Sequence, residues 1–471
     1  MRSGMKRLSH LRRLAGAVAL YVTVLARVSF SQSGSMTIDQ AVQQALAQYP
    51  LVRVSEEKVS AAAAAIKFAR TTYLPHIDFL AQFNRATHNN VFGLILPQVY
   101  LPVLSSISGP VLGTNTLDSV WGSAVGTLVS WEPFDFGLRS ANVELAKSTQ
   151  AVAGRLLDVT RLQVAATTAD VYLTILAGQQ TTTASQAAVE RAAVLVQVVE
   201  ALVNSQLRAG ADSSRAQAEL ALAKTQLIRA QEAVDVGKAV LGQMTGVSPQ
   251  AIRLDPGPLL ELPREAGIQD VPASQHPYAL TQDAAIEQVK IRERILEKTY
   301  YPRFNLQATI YARGTGIQPD GITGGGGSGL APDIQNWAVG MTVTFPAFDL
   351  FSVRARKEVE RYNERTEVAR HEQVVQELTG QQEQARATLA GALQVAQNTP
   401  IQLAAAVASV EQATARYKAG LATIVEVAEA QRLLAQAETD DGLAKLGIWR
   451  ARLALAAAQG DLGPFLRVAT R

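Results

Sequence analysis

The stretch Trp131-Glu132-Pro133-Phe134-Asp135-Phe136-Gly137 returns later in the chain as Phe345-Pro346-Ala347-Phe348-Asp349-Leu350-Phe351. Each copy closes a strand-like alternation and opens a long, charged, Ala-rich helical stretch. Within each helical stretch a turn recurs, Leu207-Arg208-Ala209-Gly210-Ala211 and then Tyr417-Lys418-Ala419-Gly420-Leu421. Upstream, Thr72-Tyr73-Leu74-Pro75-His76 is matched by Tyr300-Tyr301-Pro302-Arg303-Phe304. Paired landmarks lie roughly 210 to 230 residues apart, far beyond the period of solenoid repeats. The chain therefore reads as two copies of one unit: helix, strand, strand, long helix, turn, helix. Residues 32–246 form the first copy, with a strand hairpin at about 76–131 and a helical hairpin turning at 210. Residues 247–277 are a Pro-rich, helix-poor linker. Residues 278–471 form the second copy, with a strand hairpin at about 303–346 and a turn at 420.

Residues 1–31 have the pattern of a secretory signal. Arg2, Lys6, Arg7, Arg12 and Arg13 precede an apolar run from Leu14 to Ala26, too short for a stop-transfer helix. Ser29 and Ser31 suit cleavage after Ser31. With Arg27 the segment carries six basic residues and no acid, so the formal charge of +3 becomes 3 − 6 = −3 without it. The basic balance is then no argument for nucleic acid. The chain has no cysteine, which excludes disulfides, zinc thiolates, cysteine nucleophiles and a lipid-bearing N-terminal cysteine. His76, His88, His276 and His371 are scattered without metal-ligand spacing.

Four stretches alternate with period two. Ile77, Phe79, Ala81 and Phe83 face away from Asp78, Gln82 and Asn84. Trp121, Val125, Val129 and Trp131 alternate less strictly with Gly122, Gly126 and Ser130. Phe304, Leu306, Ala308 and Ile310 oppose Asn305, Gln307, Thr309 and Tyr311. Trp337, Val339, Met341, Val343 and Phe345 oppose Ala338, Gly340, Thr342 and Thr344. Each is about ten residues long with aromatics at several ends, as in a transmembrane β-strand, although a half-buried soluble strand alternates in the same way. The stretches come as two isolated hairpins. Gly324 to Gly327 gives the second loop a flexible tip, and no Lys-Ser/Thr follows to make it a phosphate cradle. Residues 91–104 of the first loop are unusually apolar and carry no assigned role.

Thr37 to Tyr49 predicts a short amphipathic helix, and Leu51 to Tyr73 a second one. Leu138 to Leu207 contains no proline and would extend about 100 Å as one helix. Its stripe Val143, Ala146, Gln150, Ala153, Leu157, Thr160, Val164, Thr167, Val171 has coiled-coil spacing. A second stripe runs through Leu145, Val152, Leu156, Val159, Ala166 and Leu173, which predicts neighbours on two sides, as in a ring of helices. Gly178 with Thr181 to Thr183, and Asn398-Thr399-Pro400 in the second copy, predict a joint midway along each long helix. Asp135 and Asp349 are placed to cap the long helices, whose first N–H groups need acceptors. Neither has a carboxylate partner for acid–base work, and the sequence shows no catalytic set, cofactor loop or metal cluster.

The duplicated unit, the Pro-Phe-Asp-Phe-Gly motif at Pro133 to Gly137 and the turns at Gly210 and Gly420 resemble the TolC-type outer membrane efflux proteins. The stretch from Ala419 to Val427 is especially similar to the second tip turn of that family. The resemblance covers nearly all of the chain after residue 31. It implies a mainly α fold with a small transmembrane β part: a trimeric twelve-stranded barrel, four strands per chain, continued by a long periplasmic α-helical barrel. It implies an exit duct of a tripartite efflux or type I secretion system in the outer membrane of a Gram-negative bacterium. Its partners would be two further copies, outer membrane lipid, a periplasmic membrane-fusion adaptor and an inner-membrane pump of the RND or ABC type, with no nucleic acid, cofactor or metal. Arg208, Ala209, Gly210 and Ala211, with Lys418, Ala419, Gly420 and Leu421, would be the tip turns that meet the adaptor. Tyr417 would help to hold the tip closed, and Glu426 and Glu429 would line the entrance. The family's closing arginine falls on Ala422 and its partner acid on Ala216, with Asp212 and Arg215 nearby, so the closing link is either absent or rebuilt. The alternative is a periplasmic or cell-surface coiled-coil structural or adhesion protein without channel activity.

Overall fold

Four period-two stretches build one sheet. The computed structural model describes residues 35–87, 117–263, 270–318 and 322–470, so residues 1–31 and 91–104 lie outside the described residues. Strand β1 (His76–Thr87) pairs with β2 (Ser119–Phe134), β2 with β3 (Arg303–Thr315), and β3 with β4 (Ile334–Thr344), all antiparallel. The two hairpins are thus joined through β2 and β3, and the expectation of isolated hairpins is corrected: the duplicated strands complete one another's backbone hydrogen bonding. The register aligns Phe79, Thr127, Ile310 and Trp337 across one face. Asp78, Leu128, Thr309 and Ala338 align across the other. Phe79, Ile310 and Trp337 are exposed, as are Val339 and Met341, so the apolar face has no cover within the chain. Among the described residues the outer edges of β1 and β4 are unpaired.

The described residues between β3 and β4, Gly324 to Gly327 among them, are folded by backbone hydrogen bonds, which corrects the flexible tip. Gly316 N–H donates to Trp121 O (2.8 Å), Gly324 N–H to Gly316 O (2.8 Å) and Asp333 N–H to Arg313 O (3.1 Å). The first bond ties the segment onto the start of β2, the second closes it on itself and the third ties it to the end of β3.

The helices emerge from the opposite end of the sheet. In chain order they are α1 (Ile38–Gln48), α2 (Pro50–Thr71), α3 (Leu138–Asn204), α4 (Gly210–Thr245), α5 (Pro277–Thr299), α6 (Leu350–Lys418), α7 (Ile424–Gln459) and the short α8 (Gly463–Ala469). Near the sheet they lie side by side as α2, α3, α5, α6; away from it as α4, α3, α7, α6. Among the described residues each layer therefore ends in two unpartnered edge helices, like the sheet. Among the described residues no helix is long and apolar enough to cross a membrane.

Neither long helix breaks. Helix α3 runs through Gly178 and α6 through Pro400, which corrects the predicted joints. Gly178 is there for contact: a Cβ on it would stand 2.9 Å from Val234 on α4, and one on Gly237 would stand 2.7 Å from Ile175. Two facing glycines let α3 and α4 approach closely. Pro400 removes one backbone donor, a loss of about 3 kcal/mol in an isolated helix. Side chains flanking it are tied to α7, Thr399 to Asp441 (3.1 Å) and Gln402 to Asp440 (3.2 Å). Packing along α7 holds the helix through the defect.

The described part of the linker is packed. Met36 bridges Leu254, and the Tyr172 hydroxyl lies 2.7 Å from Met36 O and 2.6 Å from Asp255 O. Trp449, 1 % exposed, donates to Glu261 O. Ile38, Tyr172, Leu241, Ile252, Leu259 and Trp449 form the largest apolar core, at mid-height of the helices.

Asp135 accepts from Gly137 N–H (3.1 Å), Arg139 N–H (2.6 Å) and Arg139 Nε (2.9 Å). Burial pushes its carboxyl up, but these bonds outweigh burial and hold it below the ordinary value. Arg139 also reaches Thr72 O, tying α3 to the end of α2. Asp349 differs. It sits at the cap position with φ −75° and ψ −4°, makes no side-chain cap bond, and gives its carbonyl to Val353 N–H (2.8 Å). The capping role expected of its side chain is corrected: helical dihedrals turn the carboxylate away from the free N–H groups. Val353 stands where the first copy has Arg139, so no guanidinium grips it.

Candidate functional site

Both helical hairpins turn at the end far from the sheet, and the two turns share one geometry. Helix α3 ends with Gln206 in the left-handed region (φ 59°), Gln206 N–H on Val203 O and Leu207 N–H on Leu202 O. Helix α6 ends with Gly420 (φ 81°), Gly420 N–H on Tyr417 O and Leu421 N–H on Arg416 O. Gly210 is the first residue of α4 and has no positive φ. A left-handed residue reverses a helix most cheaply as glycine, yet in the first turn Gln206 takes that position and Gly210 does not, while Gly420 fills it in the second.

The equivalence fixes the repeat at 214 residues across the whole helical hairpin (349 − 135, 420 − 206, 424 − 210, 460 − 246). Pairing Gly210 with Gly420 was therefore four residues, about one helical turn, out of register. In the true register Arg208 matches Ala422, Asp212 matches Glu426 and Leu207 matches Leu421. The constant spacing from Asp135 and Asp349 was the signal that could have placed Gln206 and Asp212.

The first turn supplies the arginine that the second lacks. Arg208 Nη2 donates to Tyr417 O (2.6 Å), and its guanidinium carbon lies 4.4 Å from the Tyr417 ring centroid. The Tyr417 hydroxyl donates to Asp212 Oδ2 at 3.1 Å. Burial first, then the Asp212 carboxylate, raises the Tyr417 phenol to about 12, so it stays a donor. Tyr417 is 1 % exposed and packs with Leu195, Val199, Ala216, Ala422, Ile424 and Val427. Ala216 and Ala422, at the positions of the expected closing pair, are apolar packing residues, while Arg208, Tyr417 and Asp212 form a polar link between the two turns.

The two glutamates part company. Glu426 belongs to a capping box: its N–H bonds Thr423 Oγ1 (3.4 Å) and its Oε1 accepts Thr423 N–H (3.1 Å), with Arg416 at 3.6 Å from Oε2. Glu429 is exposed and lies 3.5 Å from Arg432, which also reaches Glu219. The apex itself is exposed at Ala209, Gly210, Ala211, Lys418, Ala419, Gly420 and Leu421, while Arg208 is half-buried beneath it. Leu207 and Leu421, equivalent in the repeat, both project into solvent.

Among the described residues no cluster of metal-ligating side chains occurs. The arrangement offers a latch between two turns, an apolar apex and a face carrying acids; it holds no catalytic constellation.

Comparison with known proteins agrees with this architecture. The fold is similar to the outer-membrane channel OprN, at 19% identity over 90% of this chain and 89% of that chain with TM-score 0.68. It is similar to VceC of Vibrio cholerae, at 17% identity over 90% and 96% with TM-score 0.69. It is also similar to the open state of the MtrE channel of Neisseria gonorrhoeae, at 16% identity over 90% and 89% with TM-score 0.67. No curated protein matches the chain. The sequence model of the outer membrane efflux protein family matches residues 41–247 and 278–461, one segment for each copy of the duplicated unit. The chain therefore belongs to the outer membrane efflux protein family, and is an outer membrane channel rather than an enzyme.

Proposed function

We propose that three copies of the chain close into one continuous tube, a twelve-stranded barrel above and a ring of helices below. This tube would be the exit duct of a tripartite efflux or type I secretion system. One observation carries this reading: sheet and both helical layers each end in two unpartnered edges. An open sheet edge leaves a row of unpaired N–H and C=O groups, intolerable in lipid unless a neighbouring strand pairs with it. Closure by rotation satisfies every edge in the same operation. The exposed apex, with Leu207 and Leu421 repeated around the axis, is a surface for a periplasmic membrane-fusion adaptor. Through the adaptor the duct would join an inner-membrane pump of the RND or ABC type. Light scattering of the detergent-solubilised protein tests the assembly, with a trimer expected and a monomer against it. Crosslinking in intact envelopes from cysteines placed at Leu207 and Leu421 tests the docking. Recovery of no adaptor from either position would count against the tip as the docking surface.

A further inference from the structure

Among the described residues Arg85 is a cation on the lipid-facing side of the sheet in an unusual setting. The β1 register puts Arg85 on the same face as Ile77, Phe79, Ala81 and Phe83, opposite Trp121 of β2. Arginine on a lipid face is costly at the bilayer centre and tolerated near the interfaces. From His76, where β1 leaves the helices, Arg85 is nine residues along (85 − 76). At about 3.3 Å per residue and a tilt of about 45°, that is roughly 20 Å of membrane normal, close to the height of an apolar band. The helical end is periplasmic in a protein of this family, so Arg85 stands at the outer boundary.

Its guanidinium is already fixed. Nε donates to Ser119 Oγ at 2.9 Å, and the guanidinium carbon lies 5.4 Å from the Trp121 ring centroid. The side chain is exposed and has no ion pair among the described residues. Stacking and one bond through Nε restrain the arginine without using its two terminal nitrogens. A planar fork held in this way matches a phosphate oxygen pair. Immediately below it Phe83 and Phe79 are exposed and supply acyl-chain contacts.

We propose that Arg85, braced by Ser119 and Trp121, binds a headgroup phosphate of the outer-leaflet glycolipid. The apolar column beneath it would take the acyl chains of the same molecule. The site repeats at the free edge of β1, beside each seam of the barrel, so a bound glycolipid would lie against the joint between neighbouring chains. The inference rests on the reading of the strands as membrane-spanning.

The test uses the full chain, purified in detergent and stripped of lipid. Wild type and Arg85→Gln are titrated with bisphosphorylated lipid A, with the same glycolipid freed of phosphate, and with inorganic phosphate as a competitor. Wild type should bind the phosphorylated form about tenfold more tightly than the dephosphorylated one, the scale of one charge-assisted contact. Arg85→Gln should lose that preference while keeping the same assembly state. Arg85→Lys should recover part of it. Equal binding of the two glycolipids by wild type, or an undiminished preference in Arg85→Gln, overturns the site. Full competition by millimolar inorganic phosphate would show a free-anion site and overturn the headgroup assignment. A wild-type protein that does not enter bilayers at all contradicts the membrane-spanning reading itself.

Discussion

The phenol of Tyr417 donates to Asp212 across 3.1 Å, joining the last turn of α6 to the first turn of α4. The two residues are 205 apart in sequence and belong to different copies of the unit. Tyr417→Phe keeps the packing and removes this bond. The expected loss is about 0.5–1.5 kcal/mol of closed-tip stability, with Asp212 free to rehydrate. Single-channel recordings in planar bilayers should show more frequent opening. Asp212→Asn should act in the same direction, and the double mutant should add little to either single change. Full additivity would mean that the two residues act separately.

The two tip glycines should behave differently. Gly420 has φ 81°, so a β-branched residue there is strained by about 1–2 kcal/mol, and Gly420→Val should deform the tip and lower export without preventing assembly. Gly210 opens a helix and a Cβ there meets nothing within 4 Å. Gly210→Ala should be neutral or stabilising by about 0.4–1 kcal/mol. Gln206→Gly should stabilise by relieving the left-handed backbone at φ 59°. Thermal melting and an export assay check all three, and a damaging Gly210→Ala would contradict the assigned register.

Val339 lies at the middle of β4, on the apolar face, paired with Ala308. Arginine there should cost roughly 2–4 kcal/mol. Ala338→Arg, on the opposite face beside Thr309, should cost much less. Val343, next to the last residue of β4, is nearer the interface and should be more tolerant than Val339. Equal tolerance at Val339 and Ala338, read from yield of folded protein in the outer membrane, would remove the membrane assignment of the strands.

His276 makes stability depend on mildly acid pH. It is 2 % exposed, its Nδ1 accepts Tyr278 N–H and its Nε2 lies 3.2 Å from Ala457 O, which makes Nε2 the protonated nitrogen. Burial lowers its pKa, and the Ala457 contact only partly opposes this. A depressed folded pKa means stability that is complete above the ordinary 6.5 and is lost as pH falls through the folded value. The melting temperature should therefore fall as pH is lowered below about 6.5. His276→Asn, which keeps a capping acceptor, should flatten that slope. An identical slope in the variant would assign the effect elsewhere.

Glu429, more exposed than Glu426, should contribute more to ion selectivity. Three copies around a narrow opening raise local cation concentration. Glu429→Gln should shift the reversal potential toward neutrality and weaken block by polyvalent cations. Glu426→Gln should change both less, because glutamine still completes the capping box. An unchanged reversal potential in the double variant would place both acids outside the conduction path.

The sequence by itself determined the duplication, the four strands, the long helices and the tip. Each is written in local periodicity: apolar residues at every second position for the sheet, at threes and fours for the helices, with paired motifs marking the two copies. The apolar and polar faces of the strands were legible because a pleated strand puts alternate side chains on opposite sides whatever it pairs with. Only the tertiary structure decided the rest. It joined the hairpins into one sheet, since β2 and β3 meet through residues about 180 apart. It kept α6 continuous through Pro400, because α7 alongside outweighs a local backbone defect. It seated Gln206, not Gly210, in the left-handed position, and supplied Arg208 where Ala422 cannot serve. The strand pairing, the support of Pro400 and the contact of Arg208 with Tyr417 join segments distant in the chain and leave no period in the sequence, whereas the Gln206 turn is closed locally and shows only in the constant spacing of the two copies.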